Sequence, residues 1–191
     1  MDFLLIRSKR KTLSLELKDG GVVVRAPKRA SKKAIISFVE SHRDWIERQK
    51  KKQEERRRAT ENIPPLTDEE LDRLKEQAKA YFPERVRYYA SLMGVSCNRV
   101  TLRFQKTRWG SCSTKKNLNF NCLLMLAPAE IRDAVIVHEL CHLKEMNHSE
   151  KFYREVERIL PDYKVRDQKL KEIGPLLTAR LKNRQRLSEK A

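Results

Sequence analysis

His138-Glu139-Leu140-Cys141-His142-Leu143-Lys144-Glu145-Met146-Asn147-His148 holds three of the chain's four histidines, and its reading decides the rest. Two histidines four apart on a helix lie one above the other on one face, so both imidazoles can reach one metal ion. Glu139 sits beside His138, where its carboxylate can reach a water on that metal. This is the H-E-x-x-H arrangement of zinc hydrolases, with the glutamate as general base. A third imidazole past the helix end, His148, completes three protein ligands and leaves one position open for water, as catalytic zinc requires.

The competing reading is a buried helix that carries histidines for other reasons. Against it, the chain concentrates its histidine in this one stretch, and the preceding Ala134-Val135-Ile136-Val137 is apolar nearly all round. A helix that apolar is expected to be buried, and buried imidazoles need partners. The metal reading is preferred.

The third ligand is chosen among a few residues. The spacing matches the metzincin count, but metzincins place glycine where this chain has Glu145, and they need a methionine turn downstream. No methionine follows Met146. A glutamate from the following helix is the other solution, with Glu155 and Glu157 as candidates. His148 is favoured because it is close in sequence and because Asn147 suits the left-handed conformation that would turn the chain back.

Around this segment stand further motifs: Arg108-Trp109-Gly110-Ser111-Cys112, Leu118-Asn119-Phe120-Asn121, Pro128, Asn147-His148-Ser149-Glu150-Lys151-Phe152-Tyr153 and Leu160-Pro161-Asp162-Tyr163. In this order, over residues 99 to 172, they resemble the YgjP-like metal-dependent hydrolases, relatives of the SprT-like and WLM zinc proteases. The N-terminal part, from Ile6-Arg7-Ser8 through Val24-Arg25-Ala26-Pro27 to Trp45-Ile46, is similar to that family as well. Tyr153 departs from it, standing where the family more often has tryptophan. The resemblance implies a zincin-like fold and a peptide substrate aligned by edge pairing with the strand near Asn119 to Leu124. It also implies, as an alternative, nucleoside triphosphate pyrophosphohydrolase activity of the uridine triphosphate type.

Length and composition fit one catalytic domain with extensions. The chain has 191 residues, of which 39% are hydrophobic. No apolar run is long enough to span a membrane, and Met1 to Arg7 is too short in apolar residues for a signal peptide. Cys97, Cys112, Cys122 and Cys141 show no C-x-x-C spacing, which disfavours structural zinc on cysteine and makes reduced thiols in the cytoplasm the expectation. Cys141, inside the metal helix, reads as a small buried apolar residue.

Punctuation and period give the order of elements. Leu13, Leu15 and Leu17 alternate with polar residues, Asp19-Gly20-Gly21 turns, and Val22-Val23-Val24 returns as a β-hairpin. Ser31 caps a helix that runs through Trp45 into Arg58. Ile63-Pro64-Pro65 breaks the chain, and Thr67-Asp68-Glu69-Glu70 is a capping box. Pro83 is expected to kink or restart the helix that follows, and Gly94 to end it. Val100, Leu102 and Phe104 alternate as one strand; Leu118, Phe120, Cys122 and Leu124 alternate as another. Pro128 suits the first turn of the metal helix, and a short helix from Ser149 to Leu160 precedes a basic helical tail. The expected class is α+β, zincin-like: a small sheet packed against the helix that carries H-E-x-x-H, with an N-terminal hairpin and helical extensions. Its divisions are 1–58 (hairpin plus helix), 67–173 (catalytic domain) and 174–191 (basic tail).

The net charge is +17, from 43 basic and 26 acidic residues. The excess is concentrated in residues 7–33 and 164–191, and such patches attract nucleic acid, nucleotides or acidic protein surfaces. No aromatic residues interleave the basic runs, so a nucleic-acid partner is the weaker expectation. Three functions are carried forward. The first is a zinc metallopeptidase using one Zn²⁺ per chain on His138, His142 and His148, with Glu139 as base. The second uses the same metal and base on a nucleotide phosphoanhydride. The third is a basic adaptor or nucleic-acid-binding protein with a structural metal, which the presence of Glu139 disfavours. Arg108 is the cation of the Trp109-Gly110 loop and a candidate to hold a substrate carboxylate or phosphate; its competing role is a surface arginine stacked on Trp109. Nickel, cobalt or iron suit the same imidazoles. The sequence sets no oligomeric state.

Overall fold

The computed structural model describes residues 2–18 and 21–188, with side chains through Arg184. The chain divides into two compact units, Met1–Ala59 and Thr60–Ala191.

In the first unit the alternating leucines and valines form a sheet of three strands, β1 (Leu4–Ser8), β2 (Ser14–Lys18) and β3 (Gly21–Pro27), in the order β1-β3-β2. β2 and β3 are antiparallel, as the hairpin reading expects. The Asp19-Gly20 part of its turn lies outside the described residues. The strand that periodicity did not announce is β1, which runs parallel to β3 from Leu4↔Val23 to Ser8↔Pro27. Its position is fixed by Arg7, whose Nη1 donates to the carbonyls of Pro27, Lys28 and Ala30 at 3.2, 2.9 and 2.8 Å. Val22, Val24 and Ala26 pack with Ile35, Val39 and Ile46 into the core of this unit.

The single helix expected from Ser31 onward is two. α1 (Lys32–Ser41) starts at Ser31, whose hydroxyl accepts from the Ala34 N–H, and α2 (Arg43–Glu61) follows after His42. The Ser41 hydroxyl donates to the Phe38 carbonyl, and the His42 Nδ1 lies 2.8 Å from the same oxygen. Side chains that occupy a helix carbonyl compete with the backbone ladder, and His42 leaves helical geometry at φ −109°, ψ 14°.

The second unit opens with α3 (Asp68–Met93). Thr67 and Glu70 form the reciprocal capping box, and Gly94 ends the helix in the left-handed conformation at φ 65°. Of the kink or restart expected at Pro83, the restart does not occur: α3 runs through it as one helix. A proline inside a helix costs about 3 kcal/mol. Here Leu74, Phe82, Val86 and Met93 keep one apolar stripe across it. Burying side chains of this size is worth roughly 1.5–3 kcal/mol each, which exceeds that cost.

Strands β4 (Arg99–Arg103), β5 (Gly110–Cys112) and β6 (Asn117–Asn121) form the second sheet in the order β4-β6-β5. β6 is parallel to β4 and antiparallel to β5. The strand expected to reach Leu124 stops at Asn121: Cys122–Leu126 is a 3₁₀ helix, capped by the Asn121 side chain, whose Oδ1 accepts from the Leu123 N–H at 3.1 Å. An asparagine that satisfies the first free amide of a helical turn ends the strand there.

α4 (Ala129–Cys141), α5 (Glu150–Ile159) and α6 (Tyr163–Ser188) complete the unit. α6 is one helix through Gly174 and Pro175. Leu118 and Phe120 of β6, Phe82 of α3 and Ile136, Val137 and Leu140 of α4 share the main core. Buried Asp133 ties α4 to α3 by accepting from Arg85, Tyr81 and Tyr89 at 2.6, 2.8 and 3.0 Å. The helix that carries the histidines is thus anchored one turn before His138.

Candidate metal centre

The apolar run before His138 buries α4 on nearly every side, and Glu139, Leu140 and Cys141 are buried with it. His138 lies in the last turn of α4, and His142 caps it with helical backbone. Their rings therefore project from the same face, with centroids 5.0 Å apart. The chain then turns tightly, with the N–H groups of Leu143, Lys144 and Glu145 bonded to the carbonyls of Leu140 and Cys141. This brings His148 back, its ring centroid 5.0 Å from His138 and 4.7 Å from His142. The turn does not use Asn147 as expected: the one non-glycine residue with positive φ among the described residues is Lys116. Three successive amides bonded to the end of α4 reverse the chain without a left-handed residue.

One ligand atom from each of the three histidines lies within 4.8 Å of the other two. Nε2 of His148 is 3.0 Å from Nε2 of His138. On His138 the other ring nitrogen, Nδ1, faces the Tyr163 hydroxyl at 2.8 Å; on His142 it faces the Glu145 carbonyl at 3.2 Å. Holding Nδ1 in this way leaves Nε2 to point into the cluster, which is how outer partners orient metal-bound imidazoles. The donor set fits a transition ion such as zinc. Fully buried Phe152 of α5 lies under all three rings, with centroids 4.9, 4.6 and 4.8 Å from His138, His142 and His148. Tyr153, the departure from the family pattern, stacks on His148 at 6.2 Å.

The two glutamates weighed as ligands are engaged elsewhere. Glu155 pairs with Arg158 and Lys144 at 2.8 and 2.5 Å. Those cations, Arg158 foremost, hold its carboxyl down to about 2. Glu157 pairs with Lys164 at 3.0 Å.

Electrostatics favour the neutral imidazole at His138 and at His142. Burial, then the neighbouring His142 and His148, push His138 down to about 4, and burial lowers His142 as well. Burial alone lifts the Glu139 carboxyl to about 8, and a cation beside it would pull that value back down.

The Trp109-Gly110 loop, whose Arg108 is expected at the site, also seats Glu139, a contact that spacing does not show. Gly110 begins β5, and a Cβ placed on it would lie 2.6 Å from Glu139 Oε1 and 2.7 Å from its Cγ. Only glycine lets the edge strand and the metal helix approach this closely. Nor did any periodicity point to Tyr163, 25 residues after His138. The loop before β5 is fixed by buried Asn121, whose Nδ2 donates to the carbonyls of Gln105 and Arg108 at 2.7 and 2.8 Å. Trp109 packs against Gly174 of α6, where a Cβ would sit 3.0 Å from its indole.

A cavity of about 220 Å³ opens beside the cluster, lined by Arg108, Trp109, Gly110, His138, Glu139 and Asp167 among others. Arg108 is exposed at its rim. Contrary to expectation, the strand at Asn119 is not positioned to pair with a substrate. It is β6, paired on both sides by β4 and β5, so it has no edge to offer. The free edge next to Glu139 belongs to β5.

The sequence model of the YgjP-like, metallopeptidase domain family matches residues 11–71 and 67–173. Among solved structures the chain is similar to the metallopeptidase zymogen of Pyrococcus abyssi abylysin, with 23% identity over 48% of this chain and 94% of that one and a TM-score of 0.44. It is also similar to the metallopeptidase zymogen of Methanocaldococcus jannaschii jannalysin, with 26% identity over 49% of this chain and 95% of that one and a TM-score of 0.42. No curated protein matches.

Proposed function

The chain belongs to the YgjP-like family of metallopeptidase domains, and from that premise we propose that it is a zinc-dependent peptidase with Glu139 as its general base. On this reading the catalytic domain spans residues 67–173, with 1–58 as an N-terminal extension and 174–191 as a basic tail. The observation that carries the proposal is the convergence of His138, His142 and His148 beside a buried glutamate at the wall of a cavity.

His138, His142 and His148 would hold one Zn²⁺ per chain, and other divalent transition metals suit the same nitrogens. Bound there, zinc supplies a Lewis acid that acidifies water and polarises the attacked carbonyl. Glu139 takes the proton of the attacking water and passes it to the leaving amine. Gly110 keeps the wall of β5 close enough to hold that carboxylate in one place. The Tyr163 hydroxyl lies 2.8 Å from His138 Nδ1; with Nε2 on the metal, Nδ1–H would donate a hydrogen bond to that oxygen and hold the ring in place. The edge of β5 aligns an extended peptide by main-chain pairing, and Arg108 at the rim binds a substrate carboxylate.

The nucleotide reading comes from the family resemblance, with the basic surface suiting such a substrate; the match to a metallopeptidase domain gives it no support, and the same holds for nucleic acid. Among the described residues no helix is long and apolar enough to cross a membrane.

The test is a comparison of wild type with Glu139→Gln on a peptide library and a nucleotide panel. The variant keeps the shape of the side chain and removes its basicity. Peptide cleavage by wild type, lower by about 10²–10⁴-fold in Glu139→Gln, is the expected result. Equal activity of the two proteins, or turnover of nucleotides alone, overturns the proposal.

A further inference from the structure

The first unit carries a second cavity, of about 440 Å³, at the edge of its sheet. Among the described residues β1 pairs only with β3 and forms one border of the order β1-β3-β2. An edge strand of this kind offers backbone N–H and C=O groups to a further strand. Side chains alternate along a strand, so Phe3, Leu5 and Arg7 fall on one face, and all three line the cavity. Across from them α1 contributes Ile36 and Val39. Leu5 and Ile36 are 38% and 43% exposed, so the floor is apolar and open.

Charge sets what such a groove would accept. Arg7 is bonded to the carbonyl of Ala30, two residues before Lys32, so Arg7 and Lys32 make one end of the groove basic. At the remaining positions Arg43 and Glu40 offset each other at 3.5 Å. A second copy of this chain would bring the same basic residues together on a molecule of net charge +17, which opposes self-pairing.

We infer that the β1 edge and its groove dock an extended segment of another protein chain, added as a fourth strand. Its main chain pairs with β1, its groove-facing side chains are apolar over Leu5 and Ile36, and an aspartate or glutamate meets Arg7 and Lys32. Main-chain pairing supplies affinity and the alternate pockets supply selectivity, as in other cases of strand addition. The inference concerns the first unit alone and stands whether or not the metal centre cleaves peptides.

The experiment measures fluorescence anisotropy of a short labelled peptide, alternating valine with threonine and carrying aspartates at both ends, titrated with the full chain. The peptide's integrity is checked by mass spectrometry. Saturable binding is expected, weakened by roughly tenfold or more in Ile36→Glu, which places a charge in the apolar floor. Lys32→Glu should weaken the aspartate peptide similarly and strengthen a lysine-ended counterpart. N-methylating alternate peptide amides should abolish binding in one phase and spare it in the other. Circular dichroism separates these losses from misfolding. The inference is overturned by absence of binding, by equal affinity of wild type and Ile36→Glu, or by N-methylation having no phase. It is also overturned by sedimentation showing a wild-type dimer that Ile36→Glu dissociates, since the face would then be a self-interface.

Discussion

The sheet of the first unit, β1-β3-β2, and that of the second, β4-β6-β5, have the same construction: the last strand in sequence lies in the middle, parallel to the first and antiparallel to the second. They differ in what meets them. β3 presents Val22, Val24 and Ala26 to Ile35, Val39 and Ile46 in an apolar contact. The edge of the second sheet meets α4 through Gly110, and what fills the space is the carboxylate of Glu139. One arrangement of strands thus supports a packing surface in one unit and the wall of a candidate reaction site in the other. Topology places the edge; individual residues decide its use.

The difference is most easily broken at Gly110. Gly110→Ala puts a methyl within 2.6 Å of Glu139 Oε1, and the buried carboxylate must move. A displacement of about 1 Å costs on the order of 10²-fold in rate. Peptidase assays should show that loss while metal analysis shows the ion retained. Unchanged turnover would mean that the close approach plays no part.

A smaller effect is expected at the anchor of α4. Asp133→Ala leaves Arg85, Tyr81 and Tyr89 without their shared acceptor. Truncating one partner of a buried ion pair costs up to about 3–5 kcal/mol. Arg85 is about one-third exposed, so the expectation is near 2 kcal/mol, read by denaturant unfolding. Burial tends to raise the Asp133 carboxyl, but the hydrogen bonds from Arg85, Tyr81 and Tyr89 prevail and hold it below its ordinary value. Its stabilisation is therefore complete above the unfolded-chain value of ~3.9 and fades as pH falls through the lower folded value. Wild type should lose stability in that acid window more steeply than the variant.

The smallest effect is expected in the first unit, at the fourth histidine. His42 faces Phe38 between α1 and α2, outside the metal cluster. His42→Ala should leave metal content unchanged and shift unfolding by about 1 kcal/mol or less. Loss of metal in that variant would erase the contrast between the units.

The sequence announced the features with short periods. The capping box at Thr67, the glycine stop at Gly94 and the helix carrying His138 and His142 are written within a few residues of each other. Long-range pairing is not. β1 joins β3 through parallel register and Arg7's grip on three carbonyls, and nothing in Leu4–Ser8 taken alone shows this. α3 continues through Pro83 without a restart because its neighbours are buried, a tertiary effect that local propensity omits. The end of β6 was missed because Cys122 and Leu124 continue its alternation while Asn121 redirects the backbone. In the site, the histidine cluster and Glu139 were readable from spacing. Gly110 and Tyr163 were not, since each acts through an approach that folding alone creates.

Metal content of purified chains tests the central claim most directly. Wild type should carry about one divalent ion per chain, Glu139→Gln and Glu155→Ala should retain it, and His148→Ala should hold it far more weakly. The double variant His138→Ala, His142→Ala should carry none and lose stability with it, because ligands that bind only the folded chain stabilise it. Full occupancy in that double variant would contradict the assignment, and loss of metal from Glu155→Ala with retention in His148→Ala would give the third position to the glutamate.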